Sequence, residues 1–254
     1  MRNILILLIL ISAAGCSSNK VKPSPKVPEG NPVVELKQGN ELLAQKHCAE
    51  ASKAYGDFLA KYPKDAGGWN LLGLAQLCDG KPELAVVSMK KALEIAPTFT
   101  DVHNNLGVTY MEMKSYPDAR AEFLKALEDK QYSASGPYFN LSRLAFVQGN
   151  FEESRALAKK VMEFSPKEIG PRILYAASLM QLDRLDEALV SIRETSSLAP
   201  ENAEVAFYMG SILAKKNQPC EARKYLNKVL DDDPLGQLGQ QALAMLKTLP
   251  KCNP

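Results

Sequence analysis

Small, large apolar and polar positions repeat along this chain with a period close to thirty-four residues. A small residue recurs at Gly39, Gly73, Gly107, Ser142, Ala176 and Gly210, and a second at Ala51, Ala85, Ala119, Ser154, Ala188 and Ala222. Both columns step by 34, 34, 35, 34 and 34 residues. Large apolar residues fill the gaps: Leu72, Leu106, Leu141, Tyr175 and Met209 beside the first column, and Tyr55, Met89, Phe123, Ile192 and Leu226 beside the second. A period of this length marks a stack of identical supersecondary units, each unable to bury its apolar face alone. The pattern predicts two helices per unit. The first small residue lets helix A approach its own helix B, and the second, on helix B, faces the next unit.

A proline column closes each unit at Pro63, Pro97, Pro166, Pro200 and Pro234, with Gln131 in the vacant third place. Proline cannot donate the next helical hydrogen bond and disfavours helix in its predecessor, so it ends helix B. Six units follow, starting near residues 32, 66, 100, 135, 169 and 203 and running to 236. The segment Gln237 to Thr248 reads as a terminal helix covering the apolar edge of the last unit, within a tail of residues 237–254. The second unit carries Trp69, Leu72, Gly73, Ala85, Ala92 and Pro97, and in this it resembles the tetratricopeptide repeat. The fold implied is all-α: a right-handed superhelical solenoid of six helix pairs plus a C-terminal capping helix. The first and fifth units depart most, with Glu35 and Gln38 in one and Arg172 and Ser196 in the other. The third lacks its proline and gains a residue between Leu127 and Pro137. That corner bends the superhelix, presents a contact loop, or is a tolerated insertion.

The amino terminus gives an address. Met1-Arg2-Asn3, the apolar run Ile4 to Ile11 and the small residues Ser12 to Gly15 compose a secretory signal over residues 1–15, too short to span a bilayer stably. Cys16 follows Ala14-Gly15, as in the lipobox of bacterial lipoproteins, although Ala13 stands where that family usually has leucine. The resemblance implies lipidation at Cys16, and Ser17 after it implies sorting to the outer membrane with the body in the periplasm. Residues 17–31, rich in proline and without apolar periodicity, read as a tether. At about 3.1 Å per residue in a polyproline conformation its reach is roughly 45 Å.

Four cysteines remain: Cys48, Cys78, Cys220 and Cys252. An even number in an exported chain points to disulfides. The repeat frame sets all four on one edge of the solenoid, Cys48 and Cys78 at its start and Cys220 and Cys252 at its end. The predicted pairs are therefore Cys48–Cys78 and Cys220–Cys252. Each closes a loop of about thirty residues, a constraint of order 3–4 kcal/mol in the chain-entropy view.

Composition narrows the function. Hydrophobic residues make up 46% of the chain, enough for a core, and the net charge is +2, falling by one when Arg2 leaves with the signal. That charge is too small and dispersed for nucleic-acid binding. His47 and His103 lie in different units, and no metal-ligand, redox or nucleophile motif accompanies them. His103 occupies the register of Trp69 and reads as a packing residue, and Asp231-Asp232-Asp233 reads as a solvated helix end. No enzyme, metal, cofactor or small-molecule substrate is expected. Helix A residues line the concave face of such a superhelix. Here they include Leu74, Leu77, Asn104, Val108, Met111, Phe139, Arg143, Phe146, Ile173, Met180 and Phe207. An apolar surface of this kind suits an amphipathic helix or extended peptide. No unit supplies the Lys/Asn/Arg set of chaperone-tail receptors.

A lipobox before six such units resembles the pilotin lipoproteins of type IV pili (the PilF/PilW/Tgl type). The resemblance covers nearly the whole chain. It includes Asn104-Asn105-Leu106-Gly107, Tyr110, Tyr116 and Ala119, the corner Asp129 to Tyr132, Phe139-Asn140-Leu141 and the Gly149-Asn150-Phe151 turn. It implies a partner, the secretin subunit of the pilus machine, and a role in bringing secretin to the outer membrane and promoting its assembly. The paired cysteines are not general to that family. The alternative is a scaffold lipoprotein of another envelope machine, serving β-barrel assembly or peptidoglycan hydrolases.

Overall fold

The computed structural model describes residues 32–129 and 133–251. Cys16, the tether, Gln131 and Cys252 lie outside the described residues. Thirteen α-helices and no strand are present among them. The first helices of the units are α1 (Pro32–Ala44), α3 (Ala66–Cys78), α5 (Thr100–Glu112), α7 (Ser135–Val147), α9 (Ile169–Gln181) and α11 (Ala203–Lys215). The second helices are α2 (Cys48–Lys61), α4 (Pro82–Ile95), α6 (Tyr116–Ala126), α8 (Phe151–Phe164), α10 (Leu185–Leu198) and α12 (Pro219–Asp232), and α13 (Gln237–Thr248) closes the stack. None of these helices is long and apolar enough to cross a membrane.

Helix A ends the same way in every unit. Lys46, Gly80, Lys114, Gly149, Asp183 and Asn217 take φ between 58° and 79°, the left-handed conformation. The following N–H reaches back to the carbonyl five residues earlier, as in Lys81 to Gln76 (2.9 Å) and Ser115 to Tyr110 (2.8 Å). This closing turn satisfies the last carbonyls of the helix and reverses the chain at once. Glycine adopts it freely, whereas Lys46, Lys114 and Asp183 hold it against steric cost.

Helix B ends by another route. Tyr62, Ala96, Ser165, Ala199 and Asp233, each before a proline, leave helical geometry with ψ between 62° and 84°. Leu127 has no following proline and stays helical at φ −82°, ψ −8°. There α6 has 11 residues where the other second helices have 14, so the irregular corner begins in the helix itself.

Packing follows the columns. A methyl group built on Gly107 would lie 2.5 Å from the Phe123 ring, and one on Gly39 would lie 2.5 Å from Tyr55. Glycine lets the two helices of a unit meet through a large ring. Tyr55, Met89, Phe123, Ile192 and Leu226 are all fully buried. The second column faces the next unit, as its spacing predicts, and also its own first helix. Ser154 receives Ser142 Oγ of its own unit on its carbonyl at 2.8 Å, and Ser178 Oγ of the next unit on its hydroxyl at 2.9 Å. The column sits where three helices converge, which is why only small residues fit.

Tyr62, preceding Pro63, is followed by a further fixture. Trp69 Nε1 donates to the Pro63 carbonyl at 3.0 Å, Arg172 Nε to that of Pro166 at 2.8 Å and Gln240 Nε2 to that of Pro234 at 2.7 Å, while His103 Nε2 lies 3.2 Å from that of Pro97. At four of the five closing prolines the side chain six residues on clamps the corner; after Pro200 that place is Ala206, and Lys228 Nζ donates to the Pro200 carbonyl at 3.1 Å instead. His103 also meets Glu122 through Nδ1 at 2.6 Å, a structural use of its whole ring.

Cys48, the first residue of α2, and Cys78, the last of α3, form a disulfide with Cα atoms 5.6 Å apart. It ties the first unit to the second. Cys220 is also disulfide-bonded, and Cys252, its expected partner, lies outside the described residues.

Candidate functional site

First helices of neighbouring units touch each other directly, α3 with α5, α5 with α7, α7 with α9 and α9 with α11, while second helices make no comparable contact. The first helices therefore lie on the inside of the curve, and their outward residues form a continuous inner face. Leu74, Leu77, Asn104, Val108, Met111, Phe139, Phe146 and Phe207 are partly exposed there, and Arg143 is exposed. Leu74, Leu77 and Val108 line a cleft of about 540 Å³ whose rim carries Glu112. The Phe146 ring is braced edge-on by Phe151, with centroids 5.3 Å apart, and Phe207 by Tyr208 at 5.6 Å.

Two of the expected face residues do not belong to it. Ile173 and Met180 are only 3% and 6% exposed and sit in the core cluster with Val205, Met209, Ile212 and Leu213. In this half α9 and α11 close over each other, so apolar side chains of that register bury themselves. Lys215 reinforces the closure by donating to the Met180 carbonyl at 3.5 Å.

The floor of the open half is polar, with Asn70, Asn105 and Asn140 beside the expected Asn104 and Arg143. Asn105 Nδ2 donates to Asn70 Oδ1 at 3.1 Å, and Asn140 Nδ2 donates to Asn104 Oδ1 at 2.9 Å. Arg143 Nη1 approaches Asn140 Oδ1 at 3.5 Å. Both asparagine pairs cross from one unit to the next, so these two bonds set the stacking register as well as the chemistry of the face. The recurrence of asparagine at 70, 104, 105 and 140 was the available signal. Side-chain amides donate and accept at once, and partners with unsatisfied backbone groups can use what the pairs leave free. At the far end of the face, burial and then the Glu204 carboxylate push the Tyr208 phenol above its ordinary pKa. No group of His, Cys, Asp and Glu that could hold a metal occurs among the described residues.

Such a face binds chains, and comparison with known proteins agrees with that class. A tetratricopeptide repeat family profile matches residues 36–98 and 102–169, more than half of the chain. The chain belongs to the tetratricopeptide repeat family. Within it, the sequence is 28% identical over 159 residues to the type IV pilus assembly protein PilF of Pseudomonas aeruginosa, covering 61% of this chain and 62% of that protein. It is 33% identical over 90 residues to the repeat-containing protein PA4299 of the same organism, covering 35% and 36% of the two chains. Among solved structures it resembles PilW, a widely conserved type IV pilus biogenesis factor, with TM-score 0.75 and 19% identity over 84% of this chain and 98% of that one. A structure of P. aeruginosa PilF gives TM-score 0.70 and 18% identity over 84% and 96%. The chain spans only 15%, 36% and 24% of the first curated relatives it matches, which include two human O-mannosyl-transferases. The similarity to those enzymes therefore concerns a repeat segment. The tetratricopeptide scaffold supports an interaction role, and the chain matches most of the length of several repeat proteins, the pilus factors and the peptide-binding protein YrrB among them.

Proposed function

We propose that this protein is an outer-membrane lipoprotein that binds secretin subunits of a type IV pilus machine and promotes their localisation and multimerisation. The observation that carries the reading is the likeness to PilW along 98% of that chain, together with the similarity to PilF in sequence. The lipobox cysteine Cys16 supplies the anchor, and residues 17–31 supply reach from the membrane. The open inner face of α3, α5 and α7 supplies the surface, with apolar side chains flanking an asparagine floor. An incoming secretin segment buries its apolar side chains on Leu74, Leu77, Val108 and Met111 while its polar groups meet the asparagines. Binding to one subunit at a time keeps that subunit from aggregating before it reaches the ring.

Deletion of the gene tests the reading. Loss of heat-stable secretin multimers with monomer remaining, together with loss of pili, is expected. Wild-type multimers and pili in the deletion strain would exclude it and favour a scaffold for another envelope machine. Cys16→Ala separates the anchor from the binding face. The variant is expected to leave the outer-membrane fraction while still binding secretin in solution.

A further inference from the structure

The inner face carries one cation left unneutralised among the described residues. Arg143 is exposed, is the sole charged residue of α7, and has no ion pair there. By contrast Arg120, Arg155, Arg172 and Arg184 each meet a glutamate, and Arg223 donates to the Leu246 and Leu249 carbonyls. On its own helix Arg143 lies between Phe139 and Phe146, four residues before it and three after. On the neighbouring first helix its register is Val108. A guanidinium set among apolar side chains loses water when a second chain covers it, so that chain must supply an anion.

The floor between α5 and α7 points the same way. Arg143 Nη1 approaches Asn140 Oδ1 at 3.5 Å, which turns the Asn140 amide nitrogen toward Asn104 Oδ1, where it donates at 2.9 Å. Both amide oxygens of this seam are thereby taken. Asn104 is partly exposed, and its Nδ2 has no partner among the described residues. What the seam offers outward is therefore donors: the Asn104 amide and the unused N–H groups of Arg143.

The carboxylates of these helices stand away from that point. Glu112, the last residue of α5, lies four residues past Val108, and Asp101, in the first turn, seven before it. At 1.5 Å per residue these offsets are about 6 and 10 Å along the helix, and the two helices are roughly 8–10 Å apart. Neither α3 nor α5 contains a lysine or arginine. The open half thus holds a single cation at its centre. A chain end whose last residue is acidic brings two carboxylates and needs two cations, whereas one internal acidic side chain is matched by Arg143 alone.

We propose that Arg143 selects the partner segment, taking an internal Asp or Glu whose sequence neighbours are large and apolar. The proposal rests on the reading of this face as the secretin site. The carboxylate lies between the Arg143 guanidinium and the Asn104 amide, and its apolar neighbours lie on Val108, Met111, Phe139 and Phe146. Segments with a basic residue at that place are repelled, so one contact both accepts and rejects.

The test titrates short overlapping peptides from the periplasmic part of the organism's own secretin into the mature full-length protein in detergent micelles. The peptides are amidated at the carboxyl end, which removes the chain-end anion. The peptide that binds best is expected to hold an Asp or Glu between apolar residues. Replacing that acid by its amide should weaken binding to the wild-type protein about fivefold, the upper worth of an exposed ion pair, and leave binding to Arg143→Gln unchanged. Arg143→Glu should reverse the preference, favouring the peptide with Lys in place of the acid. Because Arg143 is exposed, neither variant should shift the unfolding midpoint, so weaker binding is not loss of fold. A best peptide without an acidic residue, or equal losses on the wild type and on Arg143→Gln when the acid is removed, would overturn the proposal and leave the secretin reading standing. Absence of binding by every secretin peptide would overturn that reading and this proposal with it.

Discussion

Helices α3 and α5 place Asn70 and Asn104 at the register where α9 and α11 place Ile173 and Phe207. Asparagines at the inner face must keep partners, and they find them in the next unit, Asn70 with Asn105 and Asn104 with Asn140. Ile173 needs no partner and sinks into the core with Val205 and Met209. The difference shows how one repeat frame yields two kinds of surface. Polar pairs hold the units in register while leaving the flanking Leu74, Val108 and Met111 accessible, whereas Ile173 packs inward and that part of the face is lost. A binding face in a solenoid stays open where its floor is held by polar pairs between units.

The comparison breaks most severely if the closed half is given the open half's residue. Ile173→Asn puts an amide without a partner into a fully packed cluster and should cost about 4 kcal/mol in chemical denaturation. The next effect concerns the first end of the stack, where the face begins. Cys48→Ser with Cys78→Ser should cost about 3 kcal/mol on the chain-entropy view, with hydrogen exchange accelerating in α1 and α2 before other helices. Giving the open half the closed half's residue, Asn104→Ile, strands the Asn140 amide and should cost about 1–2 kcal/mol. The smallest pair probes the turns between helices. Lys114→Gly relaxes a left-handed residue and should gain about 1 kcal/mol, and Gly149→Lys should lose a similar amount by thermal melting.

Most of the stack was legible because its columns carry one chemical demand each. Gly107 and Ala119 must be small, and Pro97 must end a helix, so the residue type betrays the role. The left-handed turn was not legible, since Lys46, Gly80, Asp183 and Asn217 all adopt it and the backbone bonds that impose it leave no mark in side-chain chemistry. The corner clamp was hidden for the same reason: Trp69, His103, Arg172 and Gln240 differ in every respect except an N–H at the right place. At the inner face, spacing located the first helices, but helix spacing does not report how closely neighbouring units approach. Ile173 and Met180 were therefore assigned to a surface that their own hydrophobicity closes. Their neighbours Leu77 and Met111, of the same character and register as Met180, stay accessible above the asparagine pairs.

Photocrosslinkers placed singly at Met111 and at Met180 in cells carrying the pilus machine test this account most directly. Capture of secretin from Met111, with none from Met180, is the expected result. Secretin captured equally from both positions, or from neither while a different envelope protein is trapped at Met111, would contradict it.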